Sequence, residues 1–230
     1  MANPALVPVT KLENDSYDWF ARHAAVLRAK DRLNPEIVMI GDSITHFWSG
    51  PPEAHIQRGP KAWKDLFGER PVLNLGFGWD RTQNVLWRLD HGEFGGLHPR
   101  YVVLNMGTNN FSTTAHARTN TPVEVAEGIR AILVRIRSKS PESRIILMGV
   151  FPRGAKADDP FRSKIAALNK LLPEVCKAPR ITFLDIGARF LNDRGELPRS
   201  LMDDFCHPTE QGYTIWASAL RPLLPEGNQP

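Results

Sequence analysis

Three short polar segments contain the residue types that acyl transfer requires. The segment "GDS" contains Ser43, "GTNN" contains Asn109, and "DDFCHP" contains Asp203, Asp204 and His207. A hydroxyl, an imidazole, a carboxylate and an amide are the nucleophile, the base, the orienting acid and the oxyanion donor of such a reaction. Alone, each segment has a more ordinary explanation as a helix cap, a polar loop or a turn. They indicate chemistry only if the fold brings them together.

Five apolar runs predict the strands that would position these segments. Each run is rich in aliphatic and β-branched residues, and such continuous runs are typical of strands buried on both faces in a parallel sheet. The runs cover residues 37–42, 72–76, 101–107, 144–150 and 181–187. The segments with Ser43 and Asn109 follow the first and third predicted strands, a fourth segment over 76–80 follows the second, and "DDFCHP" precedes the last helix. In an open α/β sheet the ligand site lies at the carboxyl ends of the strands, where these segments would meet.

Helical patterns lie between the predicted strands. An apolar stripe begins at Thr82, and Thr121 is a predicted N-cap with Pro122 in the first turn and Glu124 completing a capping box. Further helices are predicted over 161–175 and 209–222. This alternation of strands and helices predicts an α/β fold, an open parallel sheet with helices on both faces. We expect one domain over 1–230, with 1–34 forming an N-terminal extension and a helix packed on it.

Composition narrows the function classes. The chain has 230 residues, 42% of them hydrophobic and 23% charged, as in ordinary globular proteins. The net charge of +4 is spread among interspersed residues, which argues against a nucleic-acid partner. The two cysteines, Cys176 and Cys206, are far apart, and the histidines lack metal-ligand spacing, so we expect no disulfide and no metal. The first residues lack a leader-like pattern and no run could span a membrane, which predicts a cytoplasmic protein.

The motifs together resemble a known family. In order, "IGDSIT", "NLGFGWDRT", "GTNN" and "DDFCHP" are similar to the sequence blocks of the SGNH (GDSL-type) hydrolases. "DRTQNVLWRL", "HGEF", "FPRG" and "HPTEQGY" resemble the branch that contains the catalytic subunits of intracellular platelet-activating-factor acetylhydrolase and bacterial acetylesterases. The resemblance implies a three-layer α/β/α sandwich with a five-stranded parallel sheet, the flavodoxin-like SGNH hydrolase fold. It also implies a serine esterase mechanism, no cofactor, and a homodimer.

The resemblance also implies residue roles. Ser43 matches the nucleophile, Asn109 the side-chain oxyanion donor, His207 the base, and Asp204 the acid that orients it, because Asp203 lacks the D-x-x-H spacing. Asp42 is expected to have a structural role in the nucleophile turn. The neighbours of the catalytic residues are expected to line the acyl side, and their modest size favours a short acyl group. These neighbours are Ile44, Thr108 and Cys206.

The backbone N–H of Ser43 and the amide of Asn109 are expected to be two oxyanion donors, and the third donor is where the sequence departs from the family. Trp79 stands where the family has a glycine, but its backbone N–H survives, so we expect Trp79 to donate with a negative φ. A positive φ would strain the residue and shift the turn, making Gly78 the donor. The Trp79 indole is either an aromatic wall for a sugar or a packing residue. Arg81 and Arg153 either contact a polar leaving group or have structural roles.

These inferences predict a serine esterase for short-chain, acetyl esters of carbohydrates or other small molecules. The alternatives are an acetyl-phospholipid hydrolase or lysophospholipase-like enzyme, and a non-catalytic binding protein with the same fold. Nucleotide binding by "GFGWDRT" is disfavoured, because the segment lacks a third glycine and does not follow the first strand.

Overall fold

A computed structural model describes residues 2–225, and its centre is a sheet of five parallel strands. The strands are β1 (Ile37–Gly41), β2 (Val72–Gly76), β3 (Tyr101–Asn105), β4 (Arg144–Met148) and β5 (Ile181–Leu184). Their order in the sheet is β2-β1-β3-β4-β5, and all neighbours pair in parallel. The five predicted strands and the predicted sheet are therefore confirmed.

Helices cover both faces of this sheet. They are α1 (Trp19–Leu33), α2 (Ser43–His46), α3 (Pro60–Phe67), α4 (Thr82–Asp90), α5 (Pro122–Lys139), α6 (Pro160–Val175) and α7 (Glu210–Leu220). Side chains of β1 alternate between the two faces: Val38 and Ile40 pack with α1, α4, α5 and α6, whereas Ile37 and Met39 pack with α3 and α7. Two apolar clusters thus lie on opposite faces of the sheet, and the three-layer sandwich is confirmed.

Local signals placed some elements better than others. The capping box of α5 forms as predicted, with Thr121 and Glu124 each bonding the other's backbone N–H. The one-turn helix α2 is too short to carry a periodic pattern, and the sequence reading predicted neither it nor α3, although Trp63 and Phe67 lie on one buried face of α3. The fifth run was expected to be buried on both faces, but β5 is a partly exposed edge strand that pairs only with β4. Within residues 2–225, no helix is long and apolar enough to span a bilayer.

Candidate active site

The nucleophile candidate stands where β1 turns into α2. Asp42 caps this helix, because its Oδ1 accepts the backbone N–H of Ile44 at 3.0 Å. The turn needs a close approach of backbones: a Cβ on Gly76 would lie 2.2 Å from the backbone nitrogen of His46. Burial raises the pKa of Asp42 to about 6, yet its bond to Ile44 gives the carboxylate the structural role expected of it. Ser43, the first residue of α2, is thereby held at the sheet edge.

Ser43, His207 and Asp204 form one continuous chain of hydrogen bonds. Ser43 Oγ lies 2.8 Å from His207 Nε2, and His207 Nδ1 lies 2.7 Å from Asp204 Oδ2. Asp204 Oδ1 also accepts the backbone N–H groups of Cys206 and His207, at 3.0 and 2.7 Å. Burial alone would raise the pKa of Asp204, but these bonds hold it well below its usual range. An ionised Asp204 accepts the Nδ1 proton, which leaves Nε2 free to accept the proton of Ser43.

A tight turn brings Asp204 back onto His207. Phe205, inside the turn, has a φ of 61°, in the left-handed region that side chains seldom adopt. Its N–H donates to the carbonyl of Met202 at 3.0 Å, which closes the turn. Asp203 points elsewhere and pairs with Arg58. The structure thus brings Asp204, the residue predicted from the D-x-x-H spacing, to the imidazole.

The turn after β2 differs from the sequence expectation. Trp79 has a φ of 62°, so the negative φ expected for this residue is wrong. A positive φ was expected to make Gly78 the oxyanion donor instead. The Gly78 N–H is not free for this role, because it donates to His46 Nδ1 at 3.3 Å. No acceptor for the Trp79 N–H is found among residues 2–225. The Trp79 amide remains available to a ligand, and its role as oxyanion donor stays a prediction.

Asn109 is fixed beside this turn. It lies in a 3₁₀ turn, Thr108–Phe111, that follows β3. Its Nδ2 donates to the backbone carbonyl of Asp80 at 3.1 Å. A carboxamide nitrogen has two hydrogens, so one N–H of Asn109 remains for a second acceptor. Backbone and side-chain donors are therefore assembled at the carboxyl ends of β1, β2 and β3.

Comparison with known proteins agrees with this arrangement. The sequence profile of the GDSL-like lipase/acylhydrolase family matches residues 39–215, a span that contains the serine, the asparagine and the histidine described above. The chain belongs to this family. Members hydrolyse carboxylic esters, and the acylhydrolase is therefore a carboxylic ester hydrolase.

Similar proteins cover nearly the whole acylhydrolase. The platelet-activating factor acetylhydrolase IB subunit alpha2 of Rattus norvegicus is 34% identical over 226 residues, which cover 97% of this chain and 91% of the relative. The alpha1 subunit of Homo sapiens is 34% identical over 225 residues, which cover 96% of this chain and 90% of the relative. The crystal structure of an acetylxylan esterase from Geobacillus stearothermophilus has a TM-score of 0.65 at 21% identity, covering 83% of this chain and 94% of that one, and shares its fold.

Of the three residues expected to line the acyl side, Ile44 and Thr108 are buried and Cys206 is partly exposed. Ile44 and Thr108 are 1% and 2% exposed, and Ile44 packs in the apolar cluster that contains α7. Burial of Cys206 raises the pKa of its thiol to about 12, so the thiol of the acylhydrolase stays protonated and does not compete as a nucleophile. Their contact with the acyl group stays a prediction.

The two arginines separate into different environments. Arg81 is fully buried, and its guanidinium donates to the carbonyls of Ser112 and Arg118 at 3.0 and 2.9 Å. It is structural and does not reach a leaving group. Arg153 donates to Ser112 Oγ at 3.1 Å and lies 4.1 Å from the Phe161 ring centroid. No carboxylate within residues 2–225 pairs with Arg153, so a leaving-group contact stays open for this residue alone.

Sequence reasoning missed two residues that support the turn of Trp79. His46 was assigned to packing or the surface, but its neutral ring accepts the Gly78 N–H, and burial lowers its pKa to about 2. Tyr17 donates its hydroxyl to the Gly78 carbonyl at 3.1 Å and packs edge-on against His46, with centroids 4.6 Å apart. The spacing of His46, one helical turn after Ser43, could have indicated that it lies near the nucleophile. No comparable sequence feature indicated the role of Tyr17.

The unusual φ of Trp79 leads to a prediction. Glycine adopts a φ of 62° without the steric cost of about 1–2 kcal/mol that a Cβ carries there. Trp79→Gly should therefore leave the free energy of unfolding unchanged or higher, and should keep kcat for p-nitrophenyl acetate within about threefold, because the backbone donor is retained. Urea denaturation and steady-state kinetics measure both quantities. A hundredfold loss of kcat would show that the indole itself contributes to the reaction.

Proposed function

We propose that this acylhydrolase is a serine esterase that hydrolyses short-chain esters, acetyl esters above all, through Ser43, His207 and Asp204. The observation that carries the proposal is the continuous chain of hydrogen bonds from the serine hydroxyl through the imidazole to the carboxylate, 2.8 and 2.7 Å long. A nucleophile, its base and an orienting acid in this geometry are the arrangement that activates a serine.

The geometry supports the following mechanism. His207 Nε2 takes the proton of Ser43 as Oγ attacks the ester carbonyl, and charge develops on the carbonyl oxygen. The Ser43 and Trp79 N–H groups and the free N–H of Asn109 stabilise this oxyanion. The alcohol then leaves with the proton from His207. Water, deprotonated by His207, attacks the acyl-enzyme; His207 then returns this proton to Ser43 Oγ as the bond to the acyl carbon breaks and the carboxylic acid departs.

A carbohydrate or another small molecule is the proposed carrier of the acetyl group. Trp79 is partly exposed beside the turn, where an aromatic ring can stack on a sugar. The small and mid-sized residues Ile44, Thr108 and Cys206 favour a short acyl chain. The structural similarity to an acetylxylan esterase is consistent with this class, although it extends only to the fold. The acetyl-phospholipid class is the second candidate, because the 34% identical relatives are platelet-activating factor acetylhydrolase subunits.

Two sets of substrates test the proposal. Across p-nitrophenyl esters of two to eight carbons, we expect kcat/KM to be highest for acetate and to fall by about tenfold or more by octanoate, since each methylene that does not fit costs on the order of 1 kcal/mol. Acetate release is then compared between acetylated xylo-oligosaccharides and an acetyl-phospholipid. Higher kcat/KM for the phospholipid selects the second candidate, and a preference for octanoate contradicts both.

The same proposal includes location and assembly. The two cysteines are free, which is consistent with a reducing, cytoplasmic compartment. A homodimer is proposed only from the resemblance to the related subunits, and neither a nucleic acid nor a membrane is proposed as a partner. Light scattering of the purified protein measures the mass of the assembly directly.

A further inference from the structure

A buried network of charged side chains lies directly behind the turn that carries Trp79. Asp80 follows Trp79 in the chain and is 2% exposed. Its Oδ1 accepts the indole N–H of Trp19 at 2.8 Å, and its Oδ2 accepts the Nε–H of Arg88 at 2.7 Å. Both carboxylate oxygens are thus held by donors from two different helices, α1 and α4.

The network continues away from the turn. Arg88 also pairs with Glu93, and Glu93 Oε1 lies 2.7 Å from His23 Nδ1. The Arg88 guanidinium lies 4.0 Å from the ring centroid of Phe77, at the start of the same turn. Arg88 and Glu93 are completely buried. Arg88 Nη2 has no hydrogen-bond partner among residues 2–225, but both carboxylates of the network are paired with the guanidinium. A buried network of this kind resists movement, because displacing a carboxylate would leave a buried charge without its partner.

The backbone of Asp80 joins two of the three proposed oxyanion donors, Trp79 and Asn109. Its N–H donates to the Phe77 carbonyl at 3.2 Å, which closes the turn around Trp79. Its carbonyl accepts one N–H of Asn109 at 3.1 Å. The left-handed conformation of Trp79 is unfavourable for a residue with a Cβ and persists only where the surroundings impose it. We propose that Asp80 is a positioning residue that, clamped by Trp19 and Arg88, aligns the Trp79 and Asn109 donors for the transition state.

This inference rests on the proposed serine esterase mechanism, and Asp80→Asn tests it. The amide keeps the size of the side chain and one acceptor oxygen, but its NH₂ group must face a second donor, either Trp19 Nε1–H or Arg88 Nε–H. One arm of the clamp is therefore lost, while Arg88 keeps its pair with Glu93. Displaced donors stabilise the transition state less but leave substrate binding intact. We expect kcat for p-nitrophenyl acetate to fall by about 10- to 100-fold, with KM unchanged within about twofold.

A transition-state analogue provides a second readout. Methylboronic acid forms a tetrahedral, negatively charged adduct with an active-site serine, and its inhibition constant should rise in Asp80→Asn by the factor by which kcat/KM falls. If Asp80→Asn does not fold, Trp19→Phe removes only the indole donor to Asp80 and should lower kcat by about three- to tenfold, again without a change in KM.

Ser143→Ala is the matched control for loss of stability. Ser143 is buried directly before β4, at the amino-terminal end of the strands, where its hydroxyl bonds Ser140 Oγ at 2.7 Å and the Pro99 carbonyl at 2.5 Å. The Ser143→Ala substitution should lower the free energy of unfolding and leave kcat unchanged. Equal kcat in Asp80→Asn and wild type, or an unchanged inhibition constant, overturns the positioning role. A kcat in Ser43→Ala equal to that of the wild type refutes the mechanism itself, so the two failures are distinguishable.

Discussion

Replacing Ser43 by alanine is expected to lower kcat for p-nitrophenyl acetate by about 10⁴- to 10⁶-fold, the range seen when a serine hydrolase loses its nucleophile. The substitution removes the hydroxyl oxygen that lies 2.8 Å from His207 Nε2 and that this nitrogen is placed to activate. The oxyanion donors remain, so some catalysis above the rate in water persists and KM changes little. Steady-state kinetics at saturating substrate measure the effect.

Thr45→Val is a suitable control for this substitution. Thr45 lies two residues further along α2 and is fully buried, and its hydroxyl has no hydrogen-bond partner among residues 2–225. Losing that hydroxyl should leave kcat within about threefold of the wild type. A fluorophosphonate should label wild type and Thr45→Val stoichiometrically at Ser43. Equal rates in Ser43→Ala and wild type would instead favour a binding protein or a different nucleophile.

Those parts of the site that depend on local sequence could be predicted. Continuous aliphatic runs define the strands, and polar residues immediately after them must lie at the carboxyl edge, which places Ser43 and Asn109. The D-x-x-H spacing selected Asp204 over Asp203 for the same reason, because one tight turn brings a carboxylate back to the imidazole. The family resemblance then assigned roles to residues whose positions were already constrained.

Those parts that depend on contacts between distant segments could not be predicted. Trp19 reaches Asp80 across 61 positions of the chain, and no periodicity indicates that the two meet. The φ of Trp79 was expected to be negative because a Cβ opposes the left-handed region, yet it is 62°, in a turn whose neighbours Gly78 and Asp80 are held by hydrogen bonds. At this turn, which is proposed to bind the oxyanion, tertiary contacts outweigh the local preference of a residue with a Cβ for a negative φ.

Asp204→Asn is expected to lower kcat by about 10⁴-fold without changing the fold, through the tautomer of His207. Asp204 Oδ1 accepts two backbone N–H groups, at 2.7 and 3.0 Å, and the amide oxygen of the asparagine must take this place. Its NH₂ group then faces His207 Nδ1, which can only accept. The imidazole proton then resides on Nε2, and this nitrogen can no longer accept the proton of Ser43.

Asp203→Asn separates this effect from a general loss of negative charge. Asp203 is the adjacent residue and is more exposed, and its carboxylate pairs with Arg58 rather than with the imidazole. Since the exposed pair is worth little, kcat should stay within about twofold of the wild type. Comparable losses in the two variants would assign the effect to the electrostatic potential of the loop. A 10⁴-fold difference between neighbouring, isosteric substitutions would instead require the directed bond from His207 Nδ1 to Asp204, because net charge and side-chain volume change equally in both.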